Sequence, residues 1–205
     1  MKLEAAIERV VAALCPASEV YAADLGRFLR LVETWNRKLD LTAARTPAAL
    51  ADVMLADALV MADERLVPRS AHVLDVGSGA GGPAIPLALV RPDLRVTMLE
   101  PLGKRVAFLR TAIGSLGLAG RVSAIDGRIE LAEPRAPVAA DVACARATFA
   151  PADWLPTGLA LAPSVLVLTT PDDVPSSAEP VVRRDYRWPG SGAPRALSRF
   201  DRRPG

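Results

Sequence analysis

Four glycines lie within six positions of the chain, at Gly77, Gly79, Gly81 and Gly82, closely following the acidic Asp75. Glycine lets a backbone turn tightly and approach a ligand where a Cβ atom would collide. The run follows an apolar segment that predicts a strand and precedes a helical pattern, which is the context of nucleotide-binding loops. A glycine-rich turn without a ligand is the alternative. We disfavour it because so many glycines weaken a fold unless something needs the space.

A second acidic residue, Glu100, ends the next predicted strand, about twenty residues beyond the loop. A carboxylate at this place can accept hydrogen bonds from both ribose hydroxyls of an adenosine. The loop and this acid alone do not distinguish nicotinamide, flavin and S-adenosylmethionine cofactors. Asp75 favours S-adenosylmethionine, because a carboxylate can face a ligand ammonium group but would oppose a pyrophosphate at this position. A chain of 205 residues, too short for a substantial second domain, points the same way.

The elements that position these residues are predicted from the periodicity of apolar side chains. Helical spacing predicts two amphipathic helices before residue 36 and a third that begins at Thr46 and Pro47 and runs to Pro68. Further helices are expected from Gly82, over 102–118 and over 151–162. Strands are expected at 71–76, 95–100, 122–126, 141–145 and 164–169, followed by a loop at 171–180 and a terminal hairpin of 181–188 and 195–200.

Strands that alternate with helices predict right-handed crossovers and a mostly parallel sheet. The expected fold is therefore α/β and Rossmann-like, a seven-stranded sheet with helices on both faces. We expect a helical extension over 1–68, packed on a cofactor-binding domain over 69–205.

Composition narrows the class of protein further. The net charge of +2 is too small to indicate a polyanionic partner, but seven arginines and two aspartates follow residue 181. This segment is either a phosphate-contacting face or a solvated basic tail. Cys15 and Cys144 are far apart, which indicates neither a disulfide framework nor a metal site. Without an apolar run of about 20 residues or a signal sequence, the chain is expected to be cytoplasmic, with no membrane contact.

Three segments resemble a known family, the bacterial 16S rRNA (guanine-N7) methyltransferases, also called glucose-inhibited division protein B. They are WNRKLDLT at 35–42, DVGSGAGGPAIPL at 75–87 and LGKRVAFLR at 102–110. Pro83 and Pro86, just after the glycines, are typical of this family and unusual among other methyltransferases. The resemblance implies the fold of a class I methyltransferase, S-adenosylmethionine as cofactor, and 16S rRNA or the small ribosomal subunit as partner.

The resemblance also implies roles for individual residues. Gly77 and Gly82 would line the cofactor, Glu100 would meet its ribose, and Ile129 and Glu130 would lie beside its adenine. Arg146 would lie near the methionine end or the target base. The alternatives are a solvated carboxylate for Glu130 and a surface ion pair for Arg146. With the loop residues, the predicted cofactor-binding set is Asp75, Gly77, Ser78, Gly79, Gly81, Gly82, Glu100, Ile129, Glu130 and Arg146.

Several positions depart from the family pattern, mostly in the part that would meet the substrate. Met54 and Ala58 replace a histidine and a serine, and Thr169 stands where the fifth strand usually has a lysine. One residue is added in the segment Ala-Arg-Ala-Thr-Phe-Ala at 145–150, where the family has Ser-Arg-Ala-Phe-Ala. A paralogue that methylates another RNA or a small molecule, and a non-catalytic RNA-binding relative, therefore stay open as alternatives.

Guanine N7 carries an available lone pair, so the reaction would need alignment of donor and acceptor rather than a general base. The only histidine, His72, enters the first predicted strand at the end remote from the loop, which indicates a structural role. Arg146 would position the reacting groups. Phe149, Trp154 and Trp188 are candidates for stacking on RNA bases, and Lys104, Arg105 and Arg110 for phosphate contact. We expect a monomer without a metal ion.

Overall fold

The computed structural model describes residues 1–202, within which seven strands form one sheet. The strands are β1 (His72–Val76), β2 (Arg95–Glu100), β3 (Val122–Asp126), β4 (Val142–Ala145), β5 (Ser164–Thr169), β6 (Val182–Arg187) and β7 (Pro194–Asp201). Their order is β3-β2-β1-β4-β5-β7-β6, and the first five run parallel. Strand β7 pairs antiparallel with both β5 and β6. The predicted seven-stranded, mostly parallel sheet and its terminal hairpin are confirmed.

Strand β1 lies at the centre of the sheet, between β2 and β4. The chain passes from β1 to one side for β2 and β3, and later returns to the other side for β4 and β5. This reversal of direction is the place where open α/β sheets bind ligands, outside the carboxyl ends of the strands. The fold therefore places the residues after Val76, Glu100 and Ala145 around one crevice.

Alternate strand residues face two apolar layers, as the period of two in a strand requires. Val73, Met98 and Leu166 belong to a large core cluster, whereas Leu74 and Val167 belong to a smaller cluster on the other face. The larger layer is covered by α1 (Leu3–Leu14), α2 (Ala22–Leu39), α3 (Pro47–Ala51), α4 (Asp57–Met61), α5 (Ala84–Val90) and α6 (Gly103–Ser115). The smaller layer is covered by α7 (Pro151–Leu161).

The third predicted helix differs from the structure. It does begin at Pro47 with Thr46 as its N-cap, the hydroxyl accepting from the Ala49 N–H at 3.2 Å, but a π-helical turn, Asp52–Ala56, interrupts it. The helix ends at Met61 rather than at Pro68. Beyond this point the Arg91 guanidinium donates to main-chain carbonyls, those of Ala62, Val67 and Pro68, at 3.1 to 3.3 Å. Because Arg91 satisfies these carbonyls, they do not need the hydrogen bonds of a continued helix, which is consistent with the end of the helix at Met61.

Other boundaries shift only slightly. Helix α5 begins at Ala84 instead of Gly82, helix α6 spans fewer residues than 102–118, and a 3-10 turn, Pro171–Asp173, lies inside the predicted loop. Across residues 1–202, none of the helices combines the length and the apolar character that a bilayer crossing would demand.

Candidate active site

The glycine loop and the end of β2 are joined by hydrogen bonds that main-chain N–H groups donate. The backbone N–H of Gly79 donates to Oε2 of Glu100 at 2.8 Å, and the N–H of Leu102 donates to Oε1 of the same carboxylate at 3.0 Å. The N–H groups of Gly77 and Ser78 donate to the carbonyl of Leu99 at 2.7 and 3.3 Å. Glu100 is buried. Its carboxylate is therefore fixed at the crevice, with lone pairs left to accept from a further donor.

The loop glycines serve different purposes. Gly77, Gly79 and Gly81 have positive φ angles of 75°, 55° and 82°, which L side chains rarely adopt. A Cβ atom on Gly81 would lie 2.6 Å from the Ile85 side chain, so this glycine is required by packing inside the protein. A Cβ on Gly79 would meet no described atom nearer than 3.9 Å, which leaves its backbone open to the crevice.

The other two glycines adjoin the walls of the crevice. A Cβ on Gly77 would lie 2.2 Å from Oγ1 of Thr148, so the threonine side chain covers this residue. A Cβ on Gly82 would lie 3.1 Å from the carbonyl oxygen of Met54, where the third helical segment passes close to the loop. Gly82 therefore permits contact between the N-terminal helices and the loop.

Asp75 lies beneath the loop rather than on the surface of the crevice. Its carboxylate is fully buried, Oδ1 lies 3.4 Å from Sγ of Cys144, and Oδ2 has no hydrogen-bond partner among residues 1–202. Burial raises the pKa of Asp75 to about 6. The pKa of the Cys144 thiol is also raised, first by burial and then by the adjacent carboxylate. Asp75 is thus a carboxylate for which a nearby cation would be favourable.

Arg146 follows β4 and lies on the opposite side of the crevice from Glu100. Its guanidinium donates to the carbonyl of Val53 and lies 3.3 Å from Oδ2 of Asp57. The next residue, Ala147, has a φ of 55°. Thr148 Oγ1 then donates to the carbonyl of Val76 at 3.2 Å. The segment after β4 is therefore folded back against the end of β1, in a backbone conformation that non-glycine residues adopt at a cost.

The terminal hairpin completes the crevice. Trp188, just after β6, donates from Nε1 to Oδ1 of Asp57 at 3.0 Å. The Arg195 guanidinium lies over the Trp188 ring, 4.8 Å from its centroid, a cation–π arrangement. Asp57 also accepts from the hydroxyl of Tyr186 at 2.7 Å. The aromatic ring and the arginine are thus held at the edge of the site by a buried carboxylate.

These parts enclose one cavity of about 670 Å³, within the range of small-molecule sites. The lining residues come from the N-terminal helices, the loop, β2, the segment after β4 and the hairpin. They are Leu41, Thr42, Val53, Met54, Gly77, Ser78, Gly79, Ala80, Gly82, Glu100, Pro101, Leu102, Arg105, Arg146, Ala147, Thr148, Trp188 and Arg195. Of the predicted set, Gly77, Ser78, Gly79, Gly82, Glu100 and Arg146 are brought together.

The remaining predicted residues lie outside this lining. Asp75 and Gly81 are packed behind it, as described above. Ile129 is buried in the smaller core cluster. Glu130 is exposed and lines a separate cleft of about 460 Å³ with Arg128 and Arg135. The structure does not place Ile129 or Glu130 in the cavity of Gly79 and Glu100, and their contact with an adenine stays a prediction.

Some of the candidates for RNA contact line the cavity, and others lie outside its lining. Trp154 is buried, stacks on Phe149 and donates from Nε1 to the carbonyl of Leu166 at 2.9 Å, so its ring is part of the core. Arg110 donates to the carbonyl of Ala124, whereas Arg105 lines the cavity.

His72 lies at the far end of β1, with Nε2 2.9 Å from Oγ1 of Thr97, as expected for a structural residue remote from the loop.

Most arginines of the basic segment have partners within the described chain. Arg184 pairs with Asp63 at 2.8 Å, Arg199 with Asp201 at 2.8 Å and Arg183 with Asp185 at 2.9 Å. Arg203 lies outside the described residues. These ion pairs favour the second interpretation of the segment, a solvated basic surface. Arg195 is the arginine of this segment that lines the cavity.

Sequence reasoning missed the two aspartates that organise this wall, Asp52 and Asp57. Both are buried. Asp52 accepts from the N–H groups of Gly190 and Ser191, each at 2.8 Å, and so holds the hairpin turn. Their signal in the sequence is two acids on an otherwise apolar helix face, where a charge requires a partner.

Comparison with known proteins agrees with this geometry. The family model described as rRNA small subunit methyltransferase G matches residues 22–156. The ribosomal RNA small subunit methyltransferase G of Myxococcus xanthus is 38% identical over 218 residues, covering 96% of this chain and 97% of that protein. The protein of the same name from Anaeromyxobacter dehalogenans strain 2CP-C is 36% identical over 212 residues, covering 97% of each.

A solved structure is similar in fold. The O-methyltransferase from Bacillus cereus, in complex with SAH, has a TM-score of 0.59 at 16% identity, and the match covers 86% of this chain and 91% of that one. The predicted α/β, Rossmann-like class is therefore confirmed. The chain belongs to the rRNA small subunit methyltransferase G family, which confirms the predicted family and the predicted class of enzyme, an S-adenosylmethionine-dependent methyltransferase.

Proposed function

We propose that this chain transfers a methyl group from S-adenosylmethionine to N7 of a guanine in the 16S rRNA of the small ribosomal subunit. One observation carries the proposal. The loop fixed to Glu100 and the wall formed by Arg146, Trp188 and Arg195 face the same cavity, so a donor and a nucleotide can meet there. Membership of the family points to ribosomal RNA as the substrate, and the residues that line the cavity support this assignment.

The residues present fit the cofactor. Gly79 has open space beside its Cα atom, where a ligand can approach. The Glu100 carboxylate is held by two backbone N–H groups and can accept further hydrogen bonds from ribose hydroxyls. Oδ2 of Asp75, buried without a donor among residues 1–202, provides negative charge for an ammonium group. When bound, S-adenosylmethionine supplies an activated methyl group on a sulfonium.

The protein contributes alignment to this reaction. An in-line displacement requires the acceptor nitrogen, the methyl carbon and the leaving sulfur to be held near contact distance, and positioning alone can supply much of the acceleration. Guanine N7 needs no deprotonation, so no general base is required. Arg146 and Arg195 bring positive charge and planar donors that suit a guanine edge or a phosphate. Trp188 offers an aromatic surface on which a base can stack.

The departures from the family pattern are unequal in their consequences. Met54 lines the cavity, whereas Ala58 and Thr169 are buried outside its lining. Met54 is therefore the observation that favours a second candidate, methyl transfer to another RNA. We further propose that the protein acts as a monomer in the cytoplasm, where ribosomal subunits are assembled.

The test is incubation of the purified protein with radiolabelled S-adenosylmethionine and, separately, with small ribosomal subunits, naked 16S rRNA and another cellular RNA fraction. We expect label in the small-subunit or 16S samples, and little with Arg146→Ala. Label confined to the other RNA would replace the substrate proposed here by the second candidate. No transfer to any fraction would contradict the enzymatic proposal.

A further inference from the structure

We infer that Asp57 is a positioning residue of this site, whose buried carboxylate holds Arg146 and Trp188 on the cavity wall in the arrangement that methyl transfer requires. The inference rests on the proposed function. Asp57 lies on an apolar helix face and does not line the cavity itself.

The Asp57 carboxylate is completely buried and accepts from three side chains, which belong to the segment after β4 and to the terminal hairpin. Its donors are the Arg146 guanidinium at 3.3 Å, the Tyr186 hydroxyl at 2.7 Å and the Trp188 indole N–H at 3.0 Å. A buried carboxylate is costly unless its oxygens are paired and hydrogen bonded. The three donors satisfy that requirement together, so displacement of any one of them is opposed by the charge it would leave behind.

Arg146 has two acceptors on the third helical segment. Besides Asp57, its guanidinium donates to the carbonyl of Val53, which belongs to the π-helical turn immediately before Asp57. The Arg146 side chain is only 15% exposed, although it lines the cavity. An arginine on a surface loop would sample many rotamers. Here the π-helical turn supplies one acceptor, the Val53 carbonyl, and the first residue of α4 supplies the other, the Asp57 carboxylate, and together they restrict its orientation.

Trp188 is fixed by the same carboxylate. An indole has a single N–H donor, and that donor is directed to Asp57, so the ring has a defined rotation at the cavity edge. Arg195, a residue of β7, lies over this ring at 4.8 Å from its centroid. One buried carboxylate therefore contacts both the arginine after β4 and the aromatic ring on which a second arginine lies.

Two neighbouring contacts separate this role from simple attachment of the hairpin. Asp52 holds the turn at Gly190 and Ser191 without contacting Arg146. Tyr186 contributes a hydrogen bond to Asp57 but does not line the cavity. Tyr186→Phe thus removes one bond to the carboxylate and leaves its pairing with Arg146 and Trp188, which makes it the matched control.

The experiment compares Asp57→Asn and Tyr186→Phe with the wild type in kcat, KM for small subunits, calorimetric affinity for S-adenosylhomocysteine and free energy of unfolding. In Asp57→Asn we expect kcat to fall about 100-fold, the effect of a small misplacement of reacting groups, with cofactor affinity within about threefold. In Tyr186→Phe we expect kcat within about threefold, even though stability falls. A structural role alone would make kcat follow stability in both variants.

A double-variant cycle sharpens the result. If Asp57 acts through Arg146, then Asp57→Asn in an Arg146→Gln background lowers kcat by little more than Arg146→Gln alone. Losses that multiply, or an Asp57→Asn enzyme with wild-type kcat, would overturn the inference while leaving the proposed function intact.

A readout without activity keeps the two proposals apart. The indole Nε1–H resonance of Trp188, assigned with Trp188→Phe, is expected to shift and to exchange faster with solvent in Asp57→Asn but to change little in Asp52→Asn. An unchanged resonance in Asp57→Asn overturns the inference even in a protein that transfers no methyl group. Absence of transfer by the wild type, in contrast, counts against the proposed function.

Discussion

The backbone N–H of Gly79 and the carboxylate of Glu100 are joined by a 2.8 Å hydrogen bond across 21 positions of sequence. The loop that approaches the cofactor is therefore held in place by the acid that is expected to bind the cofactor's ribose. A substitution at either residue is expected to alter the position of the other, because the same carboxylate orders the loop and faces the cavity.

Glu100 is expected to affect both cofactor binding and loop order. Loss of hydrogen bonds to a charged acceptor costs about 1.5–3 kcal/mol each, so Glu100→Ala should lose at least about tenfold in calorimetric affinity for S-adenosylhomocysteine. Glu100→Gln should lose less, since its amide oxygen still accepts one N–H. The exposed Glu64, which pairs with Arg69, provides the control variant Glu64→Gln. Equal affinities in Glu100→Ala and the wild type would show that this carboxylate does not meet the ligand.

Gly77 is expected to tolerate no side chain. An alanine at its φ of 75° is strained by about 1–2 kcal/mol, and its Cβ would collide with Thr148 Oγ1. Gly77→Ala should lower the free energy of unfolding in urea and abolish cofactor binding. Adding Thr148→Ala should recover part of the stability, because it relieves the collision but not the strain. Full recovery in the double variant would mean that the backbone angle carries no cost.

Asp75 is expected to make stability depend on pH. Burial raises its pKa from 3.8 to about 6, so its contribution favours folding below about pH 4 and is lost as the pH rises through about 6. Relative to Asp75→Asn, the free protein should lose about 2 kcal/mol between about pH 4 and pH 7. Saturating S-adenosylhomocysteine should flatten this slope, because its ammonium group favours the ionised acid. Parallel urea-unfolding profiles for the two proteins at all pH values would contradict the account.

Trp188 is expected to serve the nucleic acid rather than the cofactor. Loss of one aromatic stacking partner costs about 1–3 kcal/mol, so Trp188→Ala should weaken binding of a 16S rRNA fragment by about fivefold or more in fluorescence anisotropy. Trp188→Phe keeps a ring and should lose less. Calorimetry with S-adenosylhomocysteine should show little change in either variant. An Ala variant that binds the fragment as tightly as the wild type would remove Trp188 from the RNA site.

The individual strands, the mostly parallel sheet and the position of the loop could be predicted because each depends on local patterns. Short apolar runs between helical patterns predicted every strand, and glycines after a strand predicted the crevice at Gly79 and Glu100. Glu100 ends the second predicted strand, about twenty residues beyond the loop, and parallel strands end at the same edge of a sheet, so its position beside the loop could be predicted.

The opposite wall could not be predicted because it depends on contacts between distant segments. Asp57 meets Tyr186 and Trp188 only when the hairpin is paired with β5 at the edge of the sheet, and no spacing within the sequence predicts that contact. The early end of the third helix has a similar cause, as the carbonyls beyond Met61 are satisfied by Arg91, about thirty residues away. Thr148 covers Gly77 through a loop whose backbone angle at Ala147 is unusual for its residue type.

The central claim is that one cavity brings a methyl donor and a ribosomal guanine together. Its most direct measurement is mass analysis of nucleosides from unmodified small subunits, after incubation with the purified protein and S-adenosylmethionine carrying a deuterated methyl group. We predict labelled 7-methylguanosine, approaching one per subunit, with the wild type and at least about tenfold slower formation with Arg146→Ala. Label in a different nucleoside, or an equal rate with both proteins, would contradict the account.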